Sequence, residues 1–210
     1  MHPNPAFRTA PDVRNIGFAR ERGFGTLAVN GDDGPLTSHI PFLLEEDGSH
    51  AELHLVRSNP IARASKEPQK AAITVTGPDS YISPDWYGVA DQVPTWNYVA
   101  VRLSGFLTAM PQDTLHPMLD RLSAHFEEHL LPKQPWHTSK MTPDVMERMM
   151  RMIQPFHFAV TAIEGTWKLG QNKPDAVRVA AAQQVTGYGI GNDTQTLAAL
   201  MLGASSEDPK

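Results

Sequence analysis

The chain contains no cysteine among its 210 residues. Disulfides, thiolate nucleophiles, iron–sulfur clusters and cysteine-type zinc sites are therefore excluded, and the sequence suits a reducing compartment. No stretch approaches the ~20 consecutive apolar residues that a membrane-spanning helix needs, and the segment MHPNPAFRTAPD lacks the apolar core of a signal peptide. Positive charge is also scarce: the formal net charge of -5 disfavours a general attraction to nucleic acid. We therefore expect a cytoplasmic protein without a membrane segment.

Aromatic rings are concentrated in the run YISPDWYGVADQVPTWNY, from Tyr81 to Tyr98. It holds five of the chain's eight Trp and Tyr residues, namely Tyr81, Trp86, Tyr87, Trp96 and Tyr98. The prolines and the glycine within this run favour an irregular crossing, because proline removes a backbone donor and fixes the direction of the chain. Rings at such a crossing either bind a planar ligand or pack in a core or an interface, and the run alone leaves both alternatives open.

Six segments have strand character and follow one another at hairpin spacing. Gly and Asp residues at 31–34 and 47–48 supply turn conformations between the first three. The predicted strands cover residues 24–30, 35–46, 51–56, 71–77, 95–110 and 156–169. This pattern predicts a mainly β protein with peripheral helices, built on an antiparallel barrel of about six strands.

Helical signals surround the strands. A helix is predicted from Asp12 to Arg22, with Asp12 as its N-cap and Gly23 as its stop. Apolar residues recur at helical spacing from Leu115 to Leu130, and Thr142-Pro143 opens a second, methionine-rich helix. A last helix is expected over residues 194–202.

A strand passes into a helix at Val56-Arg57-Ser58-Asn59-Pro60. Asn59 suits an N-cap, and Pro60 suits the first helical position. Arg57 offers a planar fork to phosphate oxygens, Ser58 offers a hydroxyl, and the helix start offers free N–H groups. The alternative is an ordinary N-cap beside a solvated arginine. The segment alone leaves both interpretations open.

The segment His125-Phe126-Glu127-Glu128-His129 formally matches the H-x-x-E-H pattern of one class of zinc protease. No third ligand follows at a recognisable spacing, and the segment continues an amphipathic stripe, so we predict no metal site. Ser38 and His39 do not form a catalytic pair, because adjacent strand residues point to opposite faces. We find no dedicated catalytic acid or base.

Five sequence blocks, in the right order and over most of the chain, resemble the PaiB family, described as FMN-binding negative transcriptional regulators with a split β-barrel fold. They are SHIPFLL (38–44), VRSNP (56–60), YISPDWY (81–87), VPTWNY (93–98) and EGTWKLGQNK (164–173). The resemblance implies a homodimer with FMN in a groove between protomers. The segment Gly170-Gln171-Asn172 departs from the family's usual Ser-Gln-Asn, and Lys173 stands where arginine is common.

The resemblance also implies roles for individual residues. His39 would hydrogen-bond the polar edge of the flavin or its ribityl chain, and Arg57 and Ser58 would hold the phosphate, helped by Lys168 or Lys173. Three successive residues of VPTWNY would flank the ring, and Trp167 would close the pocket. The implied cofactor-binding set is His39, Arg57, Ser58, Asn59, Trp96, Asn97, Tyr98, Trp167, Lys168 and Gln171. The alternatives are a packed strand histidine for His39, and a dimer interface filled by Trp96 and Trp167.

We expect residues 1–170 to form the FMN-binding domain, with an inserted helical segment at 113–153. Residues 171–202 would be a helical extension of it, and 203–210 a flexible tail. Three functions stay open: a flavin-binding regulator of the PaiB type, an FMN-dependent oxidoreductase using a nicotinamide donor on a small molecule, and a flavin-free regulatory interaction protein. DNA or a regulatory protein as partner finds no support in charge or in a helix-turn-helix motif.

Overall fold

The computed structural model describes residues 1–204 of the chain. These residues include six β-strands: β1 (Phe24–Gly31), β2 (Gly34–Leu44), β3 (His50–Val56), β4 (Gln69–Ile82), β5 (Thr95–Ala109) and β6 (Ile153–Lys168). They form a closed barrel in the order β1-β2-β3-β6-β5-β4. The predicted mainly β class with six antiparallel strands is confirmed.

In the described part of the chain, six α-helices accompany the strands: α1 (Asp12–Arg22), α2 (Pro60–Ala64), α3 (Leu115–Glu128), α4 (Pro143–Met150), α5 (Asp175–Tyr188) and α6 (Thr194–Gly203). The 3-10 turns lie at Pro5–Phe7, Pro84–Tyr87, Gln112–Thr114 and Thr138–Lys140. None of the helices within residues 1–204 is long and apolar enough to cross a bilayer.

The first hairpin forms as the turn residues predict. Gly31 pairs with Gly34, so Asp32 and Asp33 alone make the loop between β1 and β2. Gly34 has a φ of +126°, a conformation that suits glycine because it has no Cβ. The register then continues antiparallel to the pair Phe24 and Pro41.

The described residues divide into two compact units. Unit 1 comprises Met1–Asn15, Val75–Arg102 and the part of the chain from Glu164; unit 2 comprises Ile16–Thr74 and Leu103–Ile163. Long strands pass through the division, since β4, β5 and β6 contribute residues to both units. Each unit has its own buried side chains.

In unit 2, alternate strand residues point inward and form an apolar core. The largest fully buried side chains there include Phe42, Phe156 and Phe158. Helix α3 adds Leu115, Met118 and Leu122, but it ends at Glu128, and Leu130 at the end of the predicted stripe is 51% exposed. Only the first part of that stripe therefore belongs to the core.

In unit 1, α5 and α6 pack together and bury apolar side chains, Val185 and Leu197 among them. Arg178 of α5 is 3% exposed, and its guanidinium donates to the carbonyls of Met201 and Leu202. The same guanidinium pairs with Asp175, one turn earlier. A buried arginine thus satisfies carbonyls that the end of α6 leaves without helical donors.

Helix α1 ends where the sequence predicts, but its N-cap differs from the prediction. Gly23 ends the helix as predicted, with a φ of +52° and its N–H bonded to the carbonyl of Ala19 at 3.0 Å. Asp12 was expected to be the N-cap, but it is the first helical residue, and the carbonyl of Pro11 accepts the first helical bonds. Its carboxylate still lies in the first turn, where the helix dipole favours negative charge.

At the end of the described chain, α6 covers the predicted helix of residues 194–202 and closes at Gly203. Of the tail predicted for residues 203–210, residues 205–210 lie outside the described residues.

Candidate functional site

The residues predicted to bind a cofactor fall into two groups. His39, Arg57, Ser58 and Asn59 belong to unit 2, whereas the other six belong to unit 1.

An open cleft of about 490 Å³ lies in unit 1, and β5 supplies its aromatic residues. Trp96 is 46% exposed and Tyr98 is half-buried, and both line the cleft because residues two apart on a strand share a face. Tyr81 of β4 meets Trp96 edge to face, with ring centroids 6.3 Å apart. The phenol of Tyr98 is protonated near neutral pH and can donate a hydrogen bond, and burial raises its pKa still further above its ordinary value.

The polar wall of this cleft comes from Asp79 on β4 and from Asn192. The carboxylate of Asp79 accepts from the backbone N–H of Asn192 at 3.0 Å and from its Nδ2 at 3.1 Å. Gly191 makes this approach possible, since a Cβ there would lie 2.2 Å from the carbonyl oxygen of Asp79. Sequence reasoning missed this wall, and the Gly-Asn pair before α6 was the only local signal for it.

Asn97 lies on the opposite face of β5 from Trp96 and Tyr98. It is 1% exposed, and its Nδ2 donates to the sulfur of Met201 at 3.5 Å. Trp96 and Tyr98 therefore share the cleft, whereas Asn97 lies in the core, and contact of all three residues with one flavin ring stays a prediction.

Trp167 packs against the start of α1 and is not a lining residue of the cleft. It is 6% exposed, and its Nε1–H donates to Oδ1 of Asn15 at 2.9 Å. The guanidinium of Arg14 lies over its ring, 4.0 Å from the centroid. In this structure Trp167 holds the beginning of α1, and closure of a ligand pocket by its ring stays a prediction.

The side chain of Gln171 forms hydrogen bonds with the backbone around it. Its Oε1 accepts from the N–H of Leu169 at 2.9 Å, and its Nε2 donates to the carbonyls of Trp167 at 2.6 Å and Ala6 at 3.1 Å. Gly170 has a φ of +82°, which explains a glycine at the position where the family usually has serine. Both amide donors are used, so Gln171 shapes the turn rather than reaching outward.

Lys168 and Lys173 stand on either side of that turn. The ammonium of Lys168 donates to Oγ1 of Thr95 at 2.5 Å, beside Trp96 in the sequence. The ammonium of Lys173 donates to Oε1 of Gln92 and lies over the ring of Tyr87, 4.3 Å from its centroid. Both amines therefore meet the segment between Tyr87 and Thr95.

In unit 2, Arg57 is already bonded to protein acceptors. Its guanidinium donates to the carbonyl of Arg151 at 2.9 Å, to Oε1 of Gln154 at 2.7 Å and to Oε1 of Gln112. Three of the five N–H groups are used, which leaves two for a ligand. Ser58 beside it is exposed. A phosphate role for Arg57 and Ser58 stays a prediction.

Asn59 caps α2, as the sequence predicted, because its Oδ1 accepts from the N–H of Ile61 at 2.9 Å. Its Nδ2 donates to Oγ of Ser38 at 3.1 Å. Asn59 therefore has protein partners for both ends of its amide.

His39 is exposed on β2. Its Nδ1 lies 3.1 Å from Oγ1 of Thr26, and its ring stacks on Phe24 with centroids 6.4 Å apart. Phe24 is exposed as well, so the pair forms an aromatic patch on the hairpin. Binding of a flavin edge by His39 stays a prediction.

The two histidines of the H-x-x-E-H segment make contacts within the protein. The rings of His125 and His129 lie 5.1 Å apart, and Nε2 of His125 is 3.2 Å from the carbonyl oxygen of Arg20. Within residues 1–204 no cluster of three or more His, Asp or Glu side chains is arranged to hold a metal ion.

The sequence of this chain is similar to a known protein family and to two known proteins. Residues 1–162 match a family model described as "Putative FMN-binding domain". The chain is 28% identical to the protease synthase and sporulation protein PAI 2 of Bacillus subtilis over 170 residues, which is 80% of this chain and 81% of that protein. It is 35% identical to an uncharacterized protein of Saccharomyces cerevisiae over 123 residues, which is 52% of this chain and 73% of that protein.

Two solved structures share the fold. One is an FAD- and haem-binding protein of Mycobacterium smegmatis, with a TM-score of 0.54 and 16% identity, covering 76% of this chain and 72% of that one. The other is a conserved hypothetical protein of Mycobacterium tuberculosis, with a TM-score of 0.54 and 14% identity, covering 80% and 92%.

Proposed function

Because this chain belongs to the FMN-binding domain family that its residues 1–162 match, we propose that it binds FMN non-covalently and acts as a regulator of the PaiB type. The observation that carries the proposal is the cleft in unit 1 lined by Trp96 and Tyr98. The flavin ring would lie on this aromatic surface.

The residues of the cleft fit the ring of a flavin. Its volume of about 490 Å³ falls in the range of small-ligand sites, ~300 to 1,000 Å³. Trp96 offers a planar face, Ala100 offers apolar surface, and the phenol of Tyr98 offers a donor. Bound flavin supplies electron- or hydride-transfer chemistry, whereas the protein binds and orients it.

The extended proposal is a cytoplasmic homodimer in which the state of the flavin is reported to a regulatory protein. A protein partner is preferred to DNA because the chain carries a formal net charge of -5. We propose residues 1–170 as the flavin-binding domain, with 113–153 inserted and 171–202 as its extension. Asn192 of that extension lines the cleft, which supports an extension that takes part in binding.

Titration of the purified protein with FMN, followed by quenching of flavin fluorescence, tests the ring site. Trp96→Ala should weaken binding about 5- to 30-fold, because loss of a stacked aromatic costs about 1 to 2 kcal/mol. Trp96→Phe should retain most of the affinity. Trp136→Phe, a half-buried tryptophan of unit 2, is the matched control and should bind like the wild type. Absence of FMN binding at micromolar concentrations would refute the proposal.

The predicted phosphate contacts in unit 2 need their own test, because Arg57→Ala would also remove three hydrogen bonds within the protein. Ser58→Ala changes an exposed hydroxyl and leaves those bonds in place. If Ser58 binds the phosphate, Ser58→Ala weakens FMN binding and leaves riboflavin binding unchanged. Equal effects on both flavins would assign Ser58 to the surface.

Catalytic turnover distinguishes the alternative function, an FMN-dependent oxidoreductase, from the regulator. Reduction of bound flavin by NADH or NADPH, followed by repeated transfer to an added acceptor, would favour the enzyme. Flavin binding without turnover would favour the regulator.

A further inference from the structure

A second open cavity, of about 460 Å³, lies in unit 2. Helix α3 forms one side of it with Asp120, Ser123 and Ala124, which share a face because residues three and four apart on a helix are neighbours. The other side is the segment from Trp136 to Ser139. All of these residues line the same cavity, so one small molecule inside it can contact both sides.

Hydrogen bonds fasten the segment 136–139 to α3. The carboxylate of Glu127 accepts from the backbone N–H of Trp136 at 2.8 Å. The hydroxyl of Thr138 donates to Oδ1 of Asp120 at 2.8 Å. The protein itself therefore shapes the cavity, and a preformed site loses little entropy when a ligand binds.

Three polar groups of the lining have no hydrogen-bond partner among the described residues. They are the hydroxyl of Ser123, the hydroxyl of Ser139 and the indole N–H of Trp136. Ser123 and Trp136 are half-buried, and Ser139 is exposed. A ligand can form hydrogen bonds with these groups without breaking a bond within the protein.

Charge limits the ligands that this cavity can take. Asp120 carries the only permanent charge among the described lining residues, and its Oδ2 lies 3.7 Å from Nε2 of His116. An anionic ligand would be repelled by this carboxylate. A cationic ligand would pair with Asp120 but would leave the indole N–H of Trp136, which can only donate, without an acceptor.

We propose that this cavity binds a neutral sugar. Each hydroxyl of a sugar both donates and accepts, so one ring can accept from the indole N–H of Trp136 and donate to the carboxylate of Asp120. The indole also offers an apolar surface to the C–H groups of the ring. The volume falls in the range of small-ligand sites, ~300 to 1,000 Å³. The site shares no residue with the cleft of unit 1 and does not rest on the proposed function.

Nucleophilic catalysis is a poor alternative for this cluster, although a hydroxyl, a histidine and a carboxylate lie together. Nε2 of His116 is 3.3 Å from the hydroxyl of Thr138 and also faces Asp120. A catalytic triad needs one ring nitrogen for the hydroxyl and the other for the carboxylate. The arrangement therefore suits binding. The remaining alternative is structural, with these residues serving only to fasten the segment 136–139 to α3.

The experiment uses the whole protein with 5-fluorotryptophan at its four tryptophan positions. Fluorine NMR reports each tryptophan separately, and Trp136→Phe identifies the resonance that belongs to the cavity. Five sugars are titrated one at a time: D-glucose, D-galactose, D-mannose, N-acetyl-D-glucosamine and D-ribose. Butylammonium chloride is the cationic probe and sodium phosphate the anionic probe, all at matched ionic strength.

The variants leave the bonds that fasten the segment in place. Ala124→Leu fills the cavity from an exposed position of α3, and S123A/S139A removes two hydroxyls without partners among the described residues. Ala199→Leu, at an exposed position of α6 outside the cavity, is the matched control. Unchanged resonances of the other three tryptophans show that a variant is folded.

At least one sugar should shift the Trp136 resonance to saturation in the wild type and in Ala199→Leu. S123A/S139A should bind that sugar at least about fivefold more weakly, as expected from the loss of hydrogen bonds, and Ala124→Leu should not bind it. A shift that persists in folded Ala124→Leu would overturn the proposal. A response to butylammonium or phosphate without a response to any sugar would assign the cavity to a charged ligand, and no response at all would leave the structural role.

FMN is titrated into the same labelled protein. The proposed function predicts a shift of the Trp96 resonance and none of the Trp136 resonance. Failure of FMN to bind would therefore refute the proposed function without deciding the sugar site, and failure of the sugars would overturn the sugar site alone.

Discussion

Gln171 was predicted to contact the cofactor, yet the structure assigns its side chain to the protein, and Gln171→Ala tests the difference. The change removes one acceptor and two donors from the turn between Trp167 and Lys173. Three backbone groups then lose their partner: the N–H of Leu169 and the carbonyls of Trp167 and Ala6.

The size of the effect follows from those three bonds. A net contribution of about 0.5 to 1.5 kcal/mol for each bond gives a total of about 1.5 to 4.5 kcal/mol. Gln171 is half-buried, so water can replace part of what is lost, and we expect a decrease of about 2 kcal/mol in the free energy of unfolding. For a chain of this length, the Tm should fall by about 4 to 8 °C.

Urea-induced unfolding measures the free energy, and amide hydrogen exchange of Leu169 reports the local bond. Asn172→Ala is the matched control, because Asn172 is the exposed neighbour in the same turn and its removal should change stability by no more than about 0.5 kcal/mol. The reasoning is refuted if Gln171→Ala unfolds like the control while its flavin affinity falls, since Gln171 would then be a ligand contact.

Three further changes test the fold. Gly105→Ala should lower the free energy of unfolding in urea by about 3 kcal/mol or more, because the new Cβ would lie 2.0 Å from the carbonyl oxygen of Ala159. The control Gly17→Ala, whose Cβ would have nothing within 4 Å, should be neutral or stabilising, and equal free energies for the two variants would contradict the clash. By the same assay, Arg178→Ala should lower the free energy of unfolding by about 3 to 5 kcal/mol, and Asp175→Asn, at the exposed end of the ion pair, by less than about 1 kcal/mol. Similar decreases for the two variants would contradict the capping role of Arg178. Burial lowers the pKa of His54 from its ordinary 6.5, so the folded protein disfavours protonation of this histidine. The free energy of unfolding should therefore be highest above pH 6.5 and fall as the pH drops below that value. His54→Leu should reduce this pH dependence, and an unchanged dependence would contradict the assignment.

Local chemistry made several features predictable from the sequence. Asp32 and Asp33 between two glycines determine a tight hairpin, and Gly23 determines the end of α1, because each depends on backbone conformations within a few residues. Asn59 followed by Pro60 determines the start of α2 in the same way. The ordered blocks of the chain also identified its family.

Side-chain partners distant in the sequence were decided only by the tertiary structure. Trp167 donates a hydrogen bond to Asn15, 152 positions away, and Arg57 donates one to Gln154, 97 positions away, so local spacing could not predict either partner. The core position of Asn97 follows from strand alternation, but its partner Met201 lies 104 positions away and was decided by the tertiary structure.

The sequence by itself determined the class of fold, the turns, the family and the aromatic character of the segment from Tyr81 to Tyr98, because these depend on residue type and on neighbours along the chain. Only the tertiary structure decided which of those rings face an open cleft. It also brought Lys168 to Thr95 and Lys173 to Gln92, since the pairing of strands and the turn after β6 determine which side chains meet.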